Sequence, residues 1–384
     1  MKTRFISSLA EIDANTWDSL WTTSESLSYP FIRHSFLFAL EQGGCTTAAT
    51  GWQPHHLLVE DSGSVIAALP LFIKTHSYGE YVFDWAWADA YQRCGLDYYP
   101  KLVTAIPFTP ATGPRLGILT DYTPINHNET TILQLIVDAV KIDAQRLGAS
   151  SWHYLFPEHT QHQQLTELGL SPRLGCQFHW FNRNYTSFDH FLETFNSRKR
   201  KSVKRERRMP AEQGIQLKRL CGHDITTQHW QQFYIFYQAT YLKRSGNNGY
   251  LTGDFFRRLA ADSDQVMMTV AEQDGNIIAA ALYFFDSYTL YGRYWGTLDD
   301  NPGLHFEACY YQGIEFAIER GLQRFDPGAQ GEHKIQRGFT PVLTYSNHWL
   351  IDSRLKAAVD DFLQREGPAI QAYRDDCSNY LPFK

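Results

Sequence analysis

The sequence predicts a mixed α/β protein in which one unit is used twice, and three observations predict it. Two segments carry the same hairpin signature: His56–Lys74 (HLLVEDSGSVIAALPLFIK) and Met268–Asp286 (MTVAEQDGNIIAAALYFFD). In each, two alternating strands flank a Ser-Gly or Asp-Gly turn. Glu60, Gly63 and Ile66-Ala67-Ala68 match Glu272, Gly275 and Ile278-Ala279-Ala280 at a constant offset of 212. Further along, Gly169, Pro172 and Trp180 match Gly338, Pro341 and Trp349 at a constant offset of 169. Between the two sets of matches, each half carries an aromatic strand, a long helix and a further strand in the same order. Chance scatters such matches, whereas an internal duplication keeps them in order. The seam falls near residues 184–196.

Taken in order, residues 1–50 hold two helical patterns, around Trp17–Leu20 and Phe31–Glu41, ahead of the first hairpin. Gly79-Glu80-Tyr81, matching Gly292-Arg293-Tyr294, opens an aromatic segment. An insert at about 84–125, absent from the second half, follows and carries Trp85, Trp87, Tyr91, Tyr98 and Tyr99. That much aromatic content argues for order, and either cover for a sheet edge or a wall of an acceptor groove fits it. A helix from about Glu129 to Leu147 and a strand in GASSWHYLFP complete the half. The second half opens on a basic run that reads as a helix with Val203 as its one apolar anchor. After its hairpin and aromatic strand, Asn301-Pro302 reads as a helix start and Gly321 as a helix stop. A polar loop around Gly328 and Gly331, a short helix, a last strand and a C-terminal helix follow. The expected division is 1–185 and 186–384.

Charge and cysteine usage narrow the function classes. The net charge of −6 hides a local +7 in Arg198–Arg208, so the rest of the chain stands at −13. A general nucleic-acid binder is basic overall, so DNA is not an expected partner. The six cysteines form no metal-binding spacing, and His159 and His162 lack a third ligand, so no metal is expected. No apolar run is long enough to span a membrane, and no apolar export segment follows Met1. A cytoplasmic location is the expectation.

The repeated unit, with QRGFTP (Gln336–Pro341) as its helix-to-strand turn, resembles the GNAT acyltransferase fold. Two such units in tandem, with FDPGAQG (Phe325–Gly331) and KIQRGF (Lys334–Phe339) in the second, resemble the Fem-type aminoacyl and peptidyl transferases. SRKRKSVKRERR followed by GIQL resembles the Fem lead-in to the second unit. KTHSYGEYVFDWAWADAY looks like a bacterial FemAB-like family of predicted N-acyltransferases, and the likeness covers essentially the whole chain. It implies two tandem GNAT-like units and transfer of an acyl or aminoacyl group to an amine. The implied donor is acyl-CoA or aminoacyl-tRNA, with no tightly bound cofactor. The implied acceptor is a small-molecule or peptide amine, in the Fem case a peptidoglycan precursor.

One departure bears on the donor. GNAT enzymes that use acetyl-CoA carry Q/R-x-x-G-x-G/A before the long helix, and neither half has it. The second half offers Thr297–Gly303, where Asp299 and Asp300 stand in the place of a diphosphate and Pro302 removes a donor. Thr109–Gly113 in the first half is less hostile, which keeps a conventional acyl-CoA N-acyltransferase open as an alternative. A non-catalytic binding protein is a third.

N-acyl transfer needs a positioned carbonyl, a neutral amine, a route for its proton and donors for the oxyanion. The donors are expected near Tyr294-Trp295-Gly296, with Gly296 permitting a ligand to approach. Catalytic candidates are Asp326, Glu332, His333 and His305, each of which could equally be a capping, turn or hydrogen-bonded residue. Substrate-binding candidates are Trp295, Arg293, Glu307, Gln330, Lys334 and Arg337, with Asp84, Trp85, Trp87, Asp89 and Tyr91 from the insert. Arg198, Arg200, Lys204 and Arg207 are the candidates for donor phosphates, against the alternative of a solvated helix.

Overall fold

The computed structural model describes residues 1–21, 29–120, 129–329 and 331–384. In chain order its elements are β1 (Lys2–Ile6), α1 (Ala14–Ser19), α2 (His34–Gln42), β2 (Trp52–Pro54), β3 (His56–Asp61), β4 (Ser64–Leu69), β5 (Phe72–Lys74), α3 (Trp85–Arg93), β6 (Lys101–Thr104), β7 (Gly117–Ile118), α4 (Glu129–Leu147), β8 (Ser151–Leu155), α5 (His159–Glu167) and β9 (Ser171–Phe181). The second half continues with α6 (Phe188–Glu193), α7 (Ser197–Glu212), β10 (Gln216–Cys221), α8 (Thr227–Ser245), α9 (Gly253–Leu259), β11 (Val266–Gln273), β12 (Asn276–Phe285) and β13 (Thr289–Thr297). It closes with α10 (Leu304–Phe306), a π-turn over Glu307–Tyr311, α11 (Gln312–Glu319), β14 (Arg324–Asp326), β15 (Thr340–Leu350) and α12 (Ser353–Ser378).

Two compact units form: Met1–Cys176 with Leu343–Ala372, and Gln177–Val342 with Tyr373–Lys384. This differs from a cut at 185, because β9 and β15 each run from one unit into the other. In the first unit, β1-β3-β4-β7 make an antiparallel sheet, and β2, β5, β6, β8 and the second half of β15 make a mixed one in which β6 and β8 run parallel. Pro70 lies between β4 and β5, where the chain leaves one sheet for the other and a missing N–H does no harm. Helix α4 covers a core of Leu57, Val59, Ile136, Val140 and Trp152. In the second unit the strand order is β10-β11-β12-β13-β14-β9, over a core that includes Trp180, Tyr283, Tyr311 and Phe325.

The duplication is visible in the backbone. Ser62 and Gly63 turn the first hairpin at φ 51° and 87°, and Asp274 and Gly275 turn the second at 51° and 76°. Bulges interrupt the ladders at Val59/Glu60 and Ala271/Glu272, again 212 residues apart. Strands β9 and β15 are both 11 residues long, 169 apart, and each follows a left-handed glycine, Gly169 (φ 84°) or Gly338 (φ 87°). Mixed α/β structure in two GNAT-like units is the fold of this chain.

Three local expectations change. The helix after the aromatic strand begins at Leu304 rather than Pro302, because Gly303 adopts φ 79° and breaks the helical path. Gly321 does end it, at φ 69°. The insert is not a peripheral wall: its described part supplies α3, β7 and β6, and β6 is a central strand between β5 and β8. The basic run is helix α7, capped by the Asn196 side chain, with Val203 and Pro210 as its buried residues.

Candidate active sites

In the second unit, β13 pairs with β14 only over Thr289–Tyr291, and then the two diverge. At the divergence Arg293 donates to Asp326 at 2.7 Å, Gly328 N–H donates to the other carboxylate oxygen at 2.9 Å, and His179 lies 3.7 Å away. Burial alone would raise the Asp326 carboxyl, but Arg293 and His179 overrule it and hold it below its usual range. Burial pushes His179 down to about 4 in spite of Asp326. Lys334 donates to the Gly328 carbonyl at 2.6 Å, and burial brings its pKa down to about 8. Asp326, Arg293 and Lys334 therefore form one cluster, in which Asp326 is a saturated anion rather than a free base.

His305 packs among Trp295, Phe306, Tyr310 and His333. Burial depresses it to about 4, so it is neutral at pH 7. His333 is exposed, hydrogen-bonded to the Tyr310 hydroxyl at 2.9 Å, and shifted downward by partial burial. Glu332 is exposed and accepts from Tyr373 at 2.6 Å. Arg337 reaches Glu206 at 2.9 Å and lies 3.5 Å over the Phe306 ring. Glu307 is buried and bound by Arg207 and Gln312. Gln330 lies outside the described residues.

The expected oxyanion donors are corrected. A Cβ on Gly296 would lie 2.5 Å from the Phe236 carbonyl carbon, so this glycine admits helix α8, not a ligand. Thr297 N–H donates to Thr240 of the same helix, and Lys243 of α8 pairs with Asp300. The groove beside this strand is filled by the chain itself. The Thr109–Gly113 loop of the first unit is not an anion cradle either. It is largely buried, and its Thr109 and Gly113 N–H groups are spent on the carbonyls of Ile106 and Phe156 at 3.2 Å each.

The first unit holds a second polar interior. Lys101, fully buried, donates to Ser77 and Glu80 at 2.8 Å each and to Asp84. Tyr98 donates to Asp84 at 2.6 Å and meets His153 at 3.0 Å, and His153 meets His348 at 2.7 Å. Burial opposes the Lys101 charge, but Glu80 and Asp84 hold it above its ordinary value. The same burial raises Glu80 to about 7 and lowers His153 to about 3. Of the insert residues expected to bind substrate, Asp84 belongs to this network. Trp87 and Tyr91 do not reach solvent but pack on Leu350, Leu355 and Val359, because α3 is amphipathic and faces α12. Asp89 is exposed, 3.9 Å from Arg93, and Trp85 is exposed.

Lys101, His153, His348 and His179 escaped the sequence reading, and Glu80 and Tyr98 enter it only as a repeat match and an insert aromatic. A signal was there: His179 and His348 are related by the same offset of 169 that relates Trp180 and Trp349. Each stands on a last strand beside a buried group of the neighbouring strand, Asp326 for His179 and His153 for His348.

The basic helix lines a cavity of about 1020 Å³ with Phe188 and Leu192 on its floor. Arg198, Lys201, Arg205 and Arg208, all lining it, stand at i, i+3, i+7 and i+10, one stripe of the helix. Among the described residues these four form no ion pair. Lys204 also lines the cavity and pairs with Asp189 at 3.1 Å on the surface. Arg207 is spoken for by Glu307 (2.9 Å) and Glu315 (2.8 Å), so it serves the fold and is not a free phosphate ligand. Arg200 is half-buried and does not line the cavity.

Two α/β units built on one repeated pattern, each with a polar interior beside its last strand, define the class as a tandem α/β protein of the Fem-like fold. The chain belongs to the FemAB-like family, described as peptidoglycan biosynthesis/recognition, whose profile matches residues 8–384. Its structure is similar to FemX, with a TM-score of 0.52 and 12% identity over 94% of this chain and 100% of that one. It is similar to the C-terminal domain of a putative lysylphosphatidylglycerol synthetase from Agrobacterium fabrum (TM-score 0.55, 12% identity, 92% and 97% covered). It is also similar to L-PGS from Bacillus licheniformis (0.50, 11%, 88% and 98%). At these identities the likeness is one of fold. No curated protein matches the sequence. No helix among the described residues is long and apolar enough to cross a membrane.

Proposed function

We propose that this protein is a cytoplasmic N-acyltransferase that moves an aminoacyl or acyl group from an activated donor to the amine of a peptidoglycan precursor. The observation that carries the reading is the α7 cavity. Like charges three and four apart on a helix destabilise it by tenths of a kcal/mol each, and a stripe of four without counter-ions concentrates that cost on one face. A phosphate-bearing donor offsets it. The stripe from Arg198 to Arg208 extends about 15 Å at the helical rise, which suits a strand of phosphates better than one compact group. The filled groove beside β13 and the first-unit loop whose Thr109 and Gly113 N–H groups are already bonded weigh against acyl-CoA, so an aminoacyl-RNA donor is favoured. Of the four catalytic candidates, His333 is assigned the amine proton: it is exposed, neutral near pH 7 and within hydrogen-bond reach of Tyr310.

The test is donor binding against salt. Replacing Arg198, Lys201 and Arg205 together by Gln should weaken binding of an aminoacylated RNA hairpin. It should also flatten a log–log salt slope of roughly −3, about −0.7 for each of four phosphate contacts. Acyl-CoA binding that is tighter than RNA binding and indifferent to the triple substitution would overturn the donor assignment.

A further inference from the structure

Helices α6 and α7 form the two walls of the basic cavity, and they meet at a corner made of Thr194, Phe195 and Asn196. Every residue of that corner is bonded to the tail that follows α12. The Thr194 carbonyl accepts from the Lys384 N–H at 2.9 Å. Phe195, fully buried, forms a β-bridge with Phe383, and the two rings meet edge to face with centroids 5.5 Å apart. Asn196 donates twice to the Pro382 carbonyl, from its backbone N–H at 2.9 Å and from its side-chain amide at 3.0 Å. Leu381 and Phe383 pack on the same core as Phe191.

This corner is where α7 needs an outside hold. Arg198, Lys199, Arg200 and Lys201 follow one another at the positive end of the helix dipole, and the first turn holds no acidic residue. No side chain from Ser197 to Ser202 is buried; the first that is buried is Val203. Further along, Tyr311 and Arg337 bind Glu206, and Glu307 and Glu315 bind Arg207, so the second half of α7 is moored. The first half has a surface contact from Lys199 to Gln336 at 2.8 Å, and the corner. Local opening concentrates in such segments, with few buried apolar contacts and exposed backbone hydrogen bonds. Asn196 joins tail and helix in one side chain. Its oxygen caps α7 by accepting from the Lys199 N–H at 3.0 Å, while its amide nitrogen is the group held by Pro382. The tail thus fixes the orientation of the residue that caps the basic helix.

We propose that residues 381–384 are a clasp that orders the first turns of α7 and thereby governs anion binding in the α7 cavity. With the clasp closed, Arg198 and Lys201 stand on one line with Arg205 and Arg208. With it open, the first turns fray and those two cations leave the stripe. The coupling is reciprocal, so an anion on the stripe also tightens the clasp. That this anion is the donor RNA rests on the transfer reading; the clasp does not.

The test uses the full chain with two charge-neutral substitutions outside the cavity lining. Phe383→Ala removes the ring contact, and Asn196→Ser keeps a capping oxygen but loses the amide bond to Pro382. Without ligand, amide hydrogen exchange over residues 199–204 should speed up about tenfold in both variants and stay unchanged over 207–212. Binding of oligouridylate and of inorganic tripolyphosphate should weaken roughly 3- to 10-fold, the inverse of the fraction of molecules still clasped. The log–log salt slope for oligouridylate should flatten by about 1.4, the share of two phosphate contacts. General destabilisation would lower the Tm and leave that slope alone. Unchanged exchange over 199–204, or unchanged affinity and slope in both variants, would overturn the clasp. Native protein that binds tripolyphosphate but not oligouridylate, with both variants weakened, refutes the RNA donor alone. Oligouridylate binding that is equal in native protein and variants refutes the clasp alone, and binding of neither probe by native protein overturns both.

Discussion

Lys101→Met tests whether the first unit's polar interior holds the fold. Lys101 is fully buried, and its ammonium contacts two carboxylates that are themselves buried. Removing one partner of such a pair costs about 3–5 kcal/mol, because the carboxylates keep their desolvation penalty and lose their counter-charge. For a unit of this size each kcal/mol lowers Tm by about 2–4 °C, so the expected fall is roughly 6–20 °C. The pH dependence follows by sign. In the native protein Asp84 is held below its usual range, so its contribution is present at neutral pH and fades only in strong acid. In Lys101→Met, burial without the cation raises both carboxyls, so the folded state gains protons on mild acidification. The penalty should therefore be largest at pH 8 and smaller at pH 5.5. Adding Glu80→Gln and Asp84→Asn should restore at least half of the lost Tm. Circular dichroism melts at the two pH values measure all of this. A Tm within 2 °C of the native protein, or a penalty that does not change with pH, would refute the reasoning.

Two further outcomes are expected. Gly169→Ala should cost about 1–2 kcal/mol, the left-handed strain alone, because its Cβ meets open space. Gly338→Ala should cost about 1–3 kcal/mol more by overpacking, since its Cβ falls 2.7 Å from Phe191 and 3.0 Å from Phe195; equal denaturant midpoints for the two variants would contradict this. Within the basic helix, Arg207→Gln should destabilise by about 1–3 kcal/mol by stranding Glu307, whereas Arg205→Gln should stay within about 0.5 kcal/mol. Urea titrations of the two proteins decide it.

Much of this architecture is legible in the sequence. Alternating patterns, a Ser-Gly turn and fixed offsets report local backbone geometry, and the matching φ values, bulges and strand lengths are that geometry repeated. The basic run reads as a helix with Val203 as its one apolar anchor, and Val203 is indeed buried in α7, with Pro210 beyond the run. The polar interiors were harder, because they depend on which residues meet across strands. Lys101 lies 21 residues from Glu80 and 17 from Asp84, and His153 lies 195 residues from His348. No local pattern carries such pairings. Gly296 misled for the same reason: a glycine announces a close approach but not what approaches, and here it was Phe236.

The exchange of β9 and β15 has a consequence for how the gene can be cut. The strand that pairs with β8 over Ser346–Leu350 is encoded at the far end of the chain, and the strand that pairs with β14 over Trp180–Phe181 is encoded in the first half. A fragment ending at 185 therefore carries an open sheet edge where its closing strand belongs, and the complementary fragment carries the reciprocal one. Two free copies of a single repeat could satisfy both edges only by trading last strands, as in a swapped dimer whose formation depends on concentration. Tethering the copies turns that trade into a step within one molecule, governed by linker length instead of protein concentration. The duplication thus makes the two halves mutually obligatory, and neither is a portable module.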